Sequence, residues 1–129
     1  MNKKYKVFLV DDDKFLLDMY RKKFKESGAE VDVAVGSEEA LTKLRNGAKP
    51  DVLILDIIMP TMDGIELLQT IRQEKLIPDS MVIMLTNESA TDRIEEAKNL
   101  GIKGYIVKAT SIPSEVVDKV WEIVDLNTK

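Results

Sequence analysis

Asp56 stands directly after an unbroken apolar run, Val52 to Leu55, and Asp11, Asp12 and Asp13 follow another, Val7 to Val10. Short apolar runs bounded by breakers such as Pro50 and Pro60 read as buried strands of a parallel sheet. In open α/β sheets, reactive groups collect beyond the carboxyl ends of the strands. Carboxylates gathered there repel each other unless a cation lies between them. Two more run-ends bring polar groups to the same edge: Thr86, followed by Asn87 and Glu88, and Lys108 after Gly104 to Val107. Taken singly, each has an ordinary explanation: a helix-capping Asp, a turn Asp before Met59-Pro60, a capping Thr, a solvated Lys. Taken together, those explanations must all hold at once.

The set suits phosphoryl transfer onto a carboxylate. Asp11 and Asp12 can hold Mg²⁺, which prefers oxygen ligands and keeps several waters. Asp56 is the expected nucleophile and third ligand, forming an acyl phosphate. Lys108 supplies a compact positive charge, and the Thr86 hydroxyl can donate to a transferring oxygen. Removing Asp56 is expected to abolish modification. Replacing Lys108 is expected to leave metal binding but weaken the influence of the phosphorylated form on the rest of the domain.

These residues need a scaffold, and strand and helix patterns alternate five times to provide one. Tyr5 to Val10, Val31 to Val35, Val52 to Leu55, Met81 to Leu85 and Gly104 to Val107 read as strands. The first helix is expected from Lys14 to about Ser27, with Phe15, Leu16, Met19, Lys23 and Phe24 along one side and Gly28 just past its end. The second is capped by Ser37, buries Ala40, Leu41 and Leu44, and exits at Asn46-Gly47. A third opens at Gly64 with Ile65, Leu68 and Ile71 inward, and Pro78 ends the loop after it. A fourth carries Ala90, Ile94 and Ala97 and closes at Gly101. The last starts near Pro113 and buries Val116, Val117, Val120, Trp121 and Val124. Right-handed crossovers put helices on both faces of one parallel sheet. A reversal of strand order near the first strand would make the two acidic strand ends neighbours.

Composition narrows the function classes. The 129 residues suit one domain, and 44% hydrophobic content allows a real core. A formal net charge of -4 argues against broad nucleic-acid binding. Without cysteine there is no disulfide and no thiolate metal site, and without histidine no phosphohistidine step within this chain. No signal-peptide core and no membrane-length apolar run occurs, so a cytoplasmic protein without membrane insertion is expected.

The chain resembles the receiver domains of two-component response regulators, from about Tyr5 to Asp125. The resemblance rests on Val10-Asp11-Asp12-Asp13, Leu55-Asp56, Met59-Pro60-Thr61-Met62-Asp63-Gly64, Leu85-Thr86 and Tyr105-Ile106-Val107-Lys108, in this order and spacing. It implies a flavodoxin-like, doubly wound (βα)5 fold with strand order 2-1-3-4-5. It also implies phosphoryl transfer to Asp56 from a phosphohistidine on a sensor histidine kinase or histidine phosphotransfer protein. Mg²⁺, or Mn²⁺ in its place, would bind Asp11, Asp12, Asp56 and the backbone carbonyl of Ile58. Thr86 and Lys108 would contact the phosphoryl group, and Tyr105 matches the aromatic switch residue.

Three departures from the family pattern carry expectations. Ala109 follows Lys108 where a proline, often cis, is usual; a non-proline cis bond costs about 2.5–4 kcal/mol, so a trans bond or another loop path is expected. Asn87 replaces a small residue and should narrow access to the phosphoryl group. Ile58, two residues after Asp56, cannot orient attacking water, so slow loss of phosphate is expected, with Glu88 compensating in part. The chain is expected to be a single receiver, residues 1–129, without an output domain. It would be a monomer or a phosphorylation-dependent dimer, catalyse only its own phosphorylation and slow dephosphorylation, and signal to a protein target through the fourth helix, fifth strand and fifth helix. The exposed side of the first helix, with Lys14, Asp18, Arg21, Lys22 and Lys25, is the expected kinase-specificity surface and is mixed in charge.

Four alternatives are weighed. One is a receiver cut from a multidomain transcriptional regulator or hybrid kinase. A small haloacid-dehalogenase-like phosphatase would need a second Asp where Ile58 stands. A flavodoxin-like cofactor binder would need a phosphate-holding loop where the acidic cluster lies. A docking module that has lost phosphorylation would not need all five polar site residues.

Overall fold

The structure is a computed structural model describing residues 4–87, 91–108 and 112–128. Five strands alternate with five helices: β1 (Lys6–Asp11), α1 (Lys14–Glu26), β2 (Glu30–Val35), α2 (Ser37–Arg45), β3 (Val52–Leu55), α3 (Gly64–Gln73), β4 (Met81–Thr86), α4 (Thr91–Asn99), β5 (Gly104–Val107) and α5 (Pro113–Leu126). All strand pairs are parallel and the order is β2-β1-β3-β4-β5, the doubly wound arrangement the resemblance implied. Among the described residues, no helix is long and apolar enough to cross a membrane.

Side chains alternate across a strand, and the two hydrophobic cores follow that alternation. Phe8, Val10, Leu53, Leu55, Val82 and Met84 face one core, shared with buried residues of α2, α3 and α4. Val7, Leu9, Val52, Ile54, Ile83, Leu85 and Ile106 face the other, shared with α1 and α5. The central strands are apolar on both sides because helices cover both.

Register then positions the acidic residues. Val10 pairs with Leu55, and the Asp56 N–H donates to the Val10 carbonyl at 3.1 Å. Asp11 and Asp56 therefore emerge side by side. Asp11 continues the Val7–Leu9 side, Asp56 the Val52–Ile54 side and Lys108 the Ile106 side, so all three share the α1/α5 face. At the far pair, Thr86 lies opposite Val107, one residue before Lys108.

Three expected details differ. On α1 the buried residues are Leu17, Tyr20 and Phe24; Phe15 is 89% exposed, and Met19 and Lys23 are exposed as well. The Asp13 carboxylate starts this helix by accepting from the Phe15 and Leu16 N–H groups, and that start sets which stripe faces the sheet. Ser37 is not the cap of α2 but its first helical residue. Gly36, at φ 89°, holds the cap position, while the buried Ser37 hydroxyl donates to the Met62 carbonyl at 2.7 Å. Trp121 is half-buried at the edge of the α5 stripe, where its indole N–H donates to the Ser27 hydroxyl. Ala90 and the Lys108–Ala109 bond lie outside the described residues.

Candidate phosphoacceptor site

The carboxyl ends of three strands, β1, β3 and β5, meet at one ammonium group. Lys108 Nζ lies 2.6 Å from Asp11 Oδ2 and 3.3 Å from Asp56 Oδ2, with all three side chains nearly closed to solvent. Asp12 is exposed beside them. One carboxylate oxygen from each of Asp11, Asp12 and Asp56 lies within 4.8 Å of the others. This is a hard-oxygen set open to water on one side, which fits Mg²⁺ better than a softer metal.

Local structure fixes each member. Asp11 Oδ1 accepts from the Asp13 N–H at 3.1 Å while Asp13 caps α1, so the three consecutive aspartates have three distinct tasks. After Asp56 the chain turns sharply. The Gly64 N–H donates to the Ile57 carbonyl at 2.8 Å, and a Cβ on Gly64 would fall 2.1 Å from the Asp56 carbonyl oxygen. Only glycine lets α3 begin this close to β3. Within the same loop Thr61 adopts φ 71° and the Met62 N–H donates back to the Pro60 carbonyl at 2.8 Å, a tight and strained three-residue turn.

The electrostatics follow from burial. Desolvation pushes the Asp56 carboxyl up to about 6; the Lys108 charge opposes this, and the Asp11 charge adds to it. The Ile58 N–H donates to the same carboxylate and favours its ionised form. Burial alone would lower Lys108, but its hydrogen bond to Asp11 and the charge of Asp56 outweigh that and hold it above the usual lysine value. The ammonium is a fixed cation at neutral pH.

The remaining expected residues are placed less directly. Thr86 is fully buried at the end of β4, and Asn87 is exposed just beyond it. Ile58 is 51% exposed. Tyr105 is 44% exposed on β5, with Lys98 Nζ 5.9 Å from its ring centroid. Glu88 lies outside the described residues. On α1, Lys14, Asp18, Lys22 and Lys25 are exposed and Arg21 half-buried; Asp18 pairs with Arg21 and Lys22, which draws its carboxyl below the usual value.

One contact escaped the sequence reading. Arg93 of α4 reaches Asp63 at 2.5 Å, and Asp63 caps α3 in a reciprocal capping box with Glu66. Burial by itself raises the Asp63 carboxyl, but the Glu66 N–H and Arg93 bring it below the usual value. Asp63 three residues before Glu66 is a capping-box signature readable in the sequence; its Arg93 partner, 30 residues on, carries no such local signal.

The family model described as response regulator receiver domain matches residues 7–120. The alkaline phosphatase synthesis transcriptional regulatory protein PhoP of Bacillus subtilis is 35% identical over 123 residues, 95% of this chain and 49% of that protein. The probable transcriptional regulator ycf29 of Porphyra purpurea is 36% identical, covering 93% of this chain and 56% of that one. The chain thus spans about half the length of these curated relatives. Among solved structures, the chemotaxis protein CheY4 of Vibrio cholerae superimposes with a TM-score of 0.83 at 30% identity, over 94% of this chain and 99% of that one.

Proposed function

We propose that this chain, which belongs to the response regulator receiver domain family, is a switch that takes a phosphoryl group onto Asp56. The observation that carries this reading is Lys108 Nζ between the buried carboxylates of Asp11 and Asp56, with Asp12 completing the oxygen set. A buried cation between two acids is a poor device for stability alone. It is well suited to a site where negative charge arrives and leaves.

Asp56 attacks the phosphorus of a phosphohistidine on a kinase or phosphotransfer protein. The new bond forms from its carboxylate oxygen as the P–N bond breaks, and the imidazole leaves. Asp11, Asp12, Asp56 and the Ile58 carbonyl would hold Mg²⁺, or Mn²⁺, which supplies charge neutralisation on the transferring oxygens. Lys108 exchanges its contact with Asp56 for one with the phosphoryl group, and the Thr86 hydroxyl turns toward the same group. Asp56, pushed up to about 6, is mostly ionised at neutral pH and so competent as a nucleophile. Tyr105 would then shift from its exposed position and change the α4–β5–α5 face read by a protein target. A phosphoryl group drawn from such a kinase supports a cytoplasmic setting for this switch.

The exposed, apolar Ile58 cannot orient water, and Asn87 narrows the approach, so the phosphoryl group should persist for minutes or longer; decay within seconds would count against this. Incubation with a small-molecule phosphodonor and Mg²⁺, followed by intact mass, tests the core of the reading. The native chain should gain one phosphoryl group and Asp56→Ala none. An unmodified native chain would overturn it.

A second reading has specific support. The curated relatives are about twice as long as this chain and are named as transcriptional regulators. The chain would then be the phosphoacceptor part of such a regulator rather than a receiver acting alone. The mass of the native protein in cell extract distinguishes the two.

A further inference from the structure

We propose that Tyr20 is a positioning residue of the phosphoacceptor site, its hydroxyl holding one water that ties the inner sides of the Asp11 and Asp56 carboxylates in place for a divalent cation. This rests on the phosphoacceptor reading above and adds a residue to it.

The inward stripe of α1 is Leu17, Tyr20 and Phe24, each buried against the sheet. Phenylalanine or leucine would fill the middle position as well as tyrosine does, so the hydroxyl is what sets this residue apart. Strand alternation sends Asp11 and Asp56 toward the same α1/α5 face that Tyr20 covers. Between them lies a cavity of about 10 Å³ whose polar lining is Asp11, Asp56 and Tyr20, with Leu9, Ile54 and Leu85 among the apolar residues around it. That volume matches a single water, and three polar partners are what a buried water requires. A phenol carries its proton at neutral pH and so can donate to that water.

The donor direction makes chemical sense. Lys108 engages Oδ2 of both acids, and Asp11 Oδ1 already accepts the Asp13 N–H. A further donor from below limits rotation of the carboxylates, so their outer oxygens stay converged on the cation. Groups behind metal ligands act in this way, by orienting them.

The test compares the native chain with Tyr20→Phe, which removes only the hydroxyl. Mg²⁺ affinity is read by calorimetric titration, phosphorylation by intact mass at limiting and saturating Mg²⁺, and stability by thermal melting. The expected result is about a tenfold weaker Mg²⁺ affinity, slow phosphorylation at limiting Mg²⁺ that recovers at saturation, and a melting temperature close to native. A Mg²⁺ affinity within about twofold of native overturns the proposal, whatever the melting temperature. A high-resolution crystal structure of the native chain gives an independent reading that needs no variant. Water hydrogen-bonded to Tyr20 and a carboxylate supports the proposal, and a dry or side-chain-filled cavity overturns it. A native chain that takes up phosphoryl while Tyr20→Phe is unaffected sinks only the role of Tyr20. A native chain that binds no Mg²⁺ and accepts no phosphoryl group sinks the phosphoacceptor reading with it.

Discussion

The two ends of the same sheet handle charge in opposite ways. At the amino ends of the strands, Lys6, Glu30, Asp32 and Lys49 are exposed around a cavity of about 490 Å³. Asp51 beside them accepts the backbone N–H of Lys6, 45 residues earlier, at 2.8 Å. At the carboxyl ends Asp11, Asp56 and Lys108 are buried against one another, and a cavity of about 430 Å³ opens beside Asp12. Both edges offer room, and what sets the carboxyl edge apart is charge held out of water. Charges that water can reach are solvated and tolerated. Charges forced together out of water mark the working end.

The comparison is most easily broken at Lys108. Lys108→Met leaves two buried carboxylates without a countercharge, and the metal-free protein should lose about 3–5 kcal/mol in urea denaturation. Added Mg²⁺ should restore more stability to this variant than to the native chain. Gly64→Ala comes next. A Cβ so close to the Asp56 carbonyl forces the loop away, costing about 1–3 kcal/mol and slowing phosphorylation in the intact-mass assay.

Asp56→Asn should act in the other direction. The folded carboxyl titrates at about 6 against an ordinary 3.8, so the folded state holds the proton more tightly than the unfolded chain. This group's contribution is intact below the ordinary value and is lost as pH rises through about 6. In metal-free melts near pH 7 the Asn variant should be more stable by on the order of 1–2 kcal/mol, with the gain fading toward about pH 4. A gain that persisted at acid pH would mean burial is not its source. The smallest effect belongs to the other edge: Asp51→Ala should cost only about 0.5–1.5 kcal/mol, with no change in Mg²⁺ affinity.

Much of this was legible from residue order. The limits of β3 were drawn by Pro50 and the apolar run, because a strand buried on both faces permits no polar interruption, and those of the edge strand β5 by Gly104 and Lys108. Asp11, Asp12, Asp56 and Lys108 could be brought to one edge because parallel strands send every carboxyl end the same way. The facing of α1 was not legible. Phe15, Leu16, Leu17, Met19 and Tyr20 offer two overlapping stripes, and only docking on the sheet selects Leu17 and Tyr20 over Phe15 and Met19. Ser37 looked like a cap because its type favours that place; the structure gives its hydroxyl to Met62, 25 residues away. Long-range partners leave no mark in a local pattern.

The bond from Lys108 to Asp11 closes a span of 97 residues. During synthesis the two acids emerge long before the lysine that neutralises them. A nascent chain still lacking β5 and Lys108 thus holds two carboxylates with no countercharge between them. The charge balance of the pocket is completed only once Lys108 has been made.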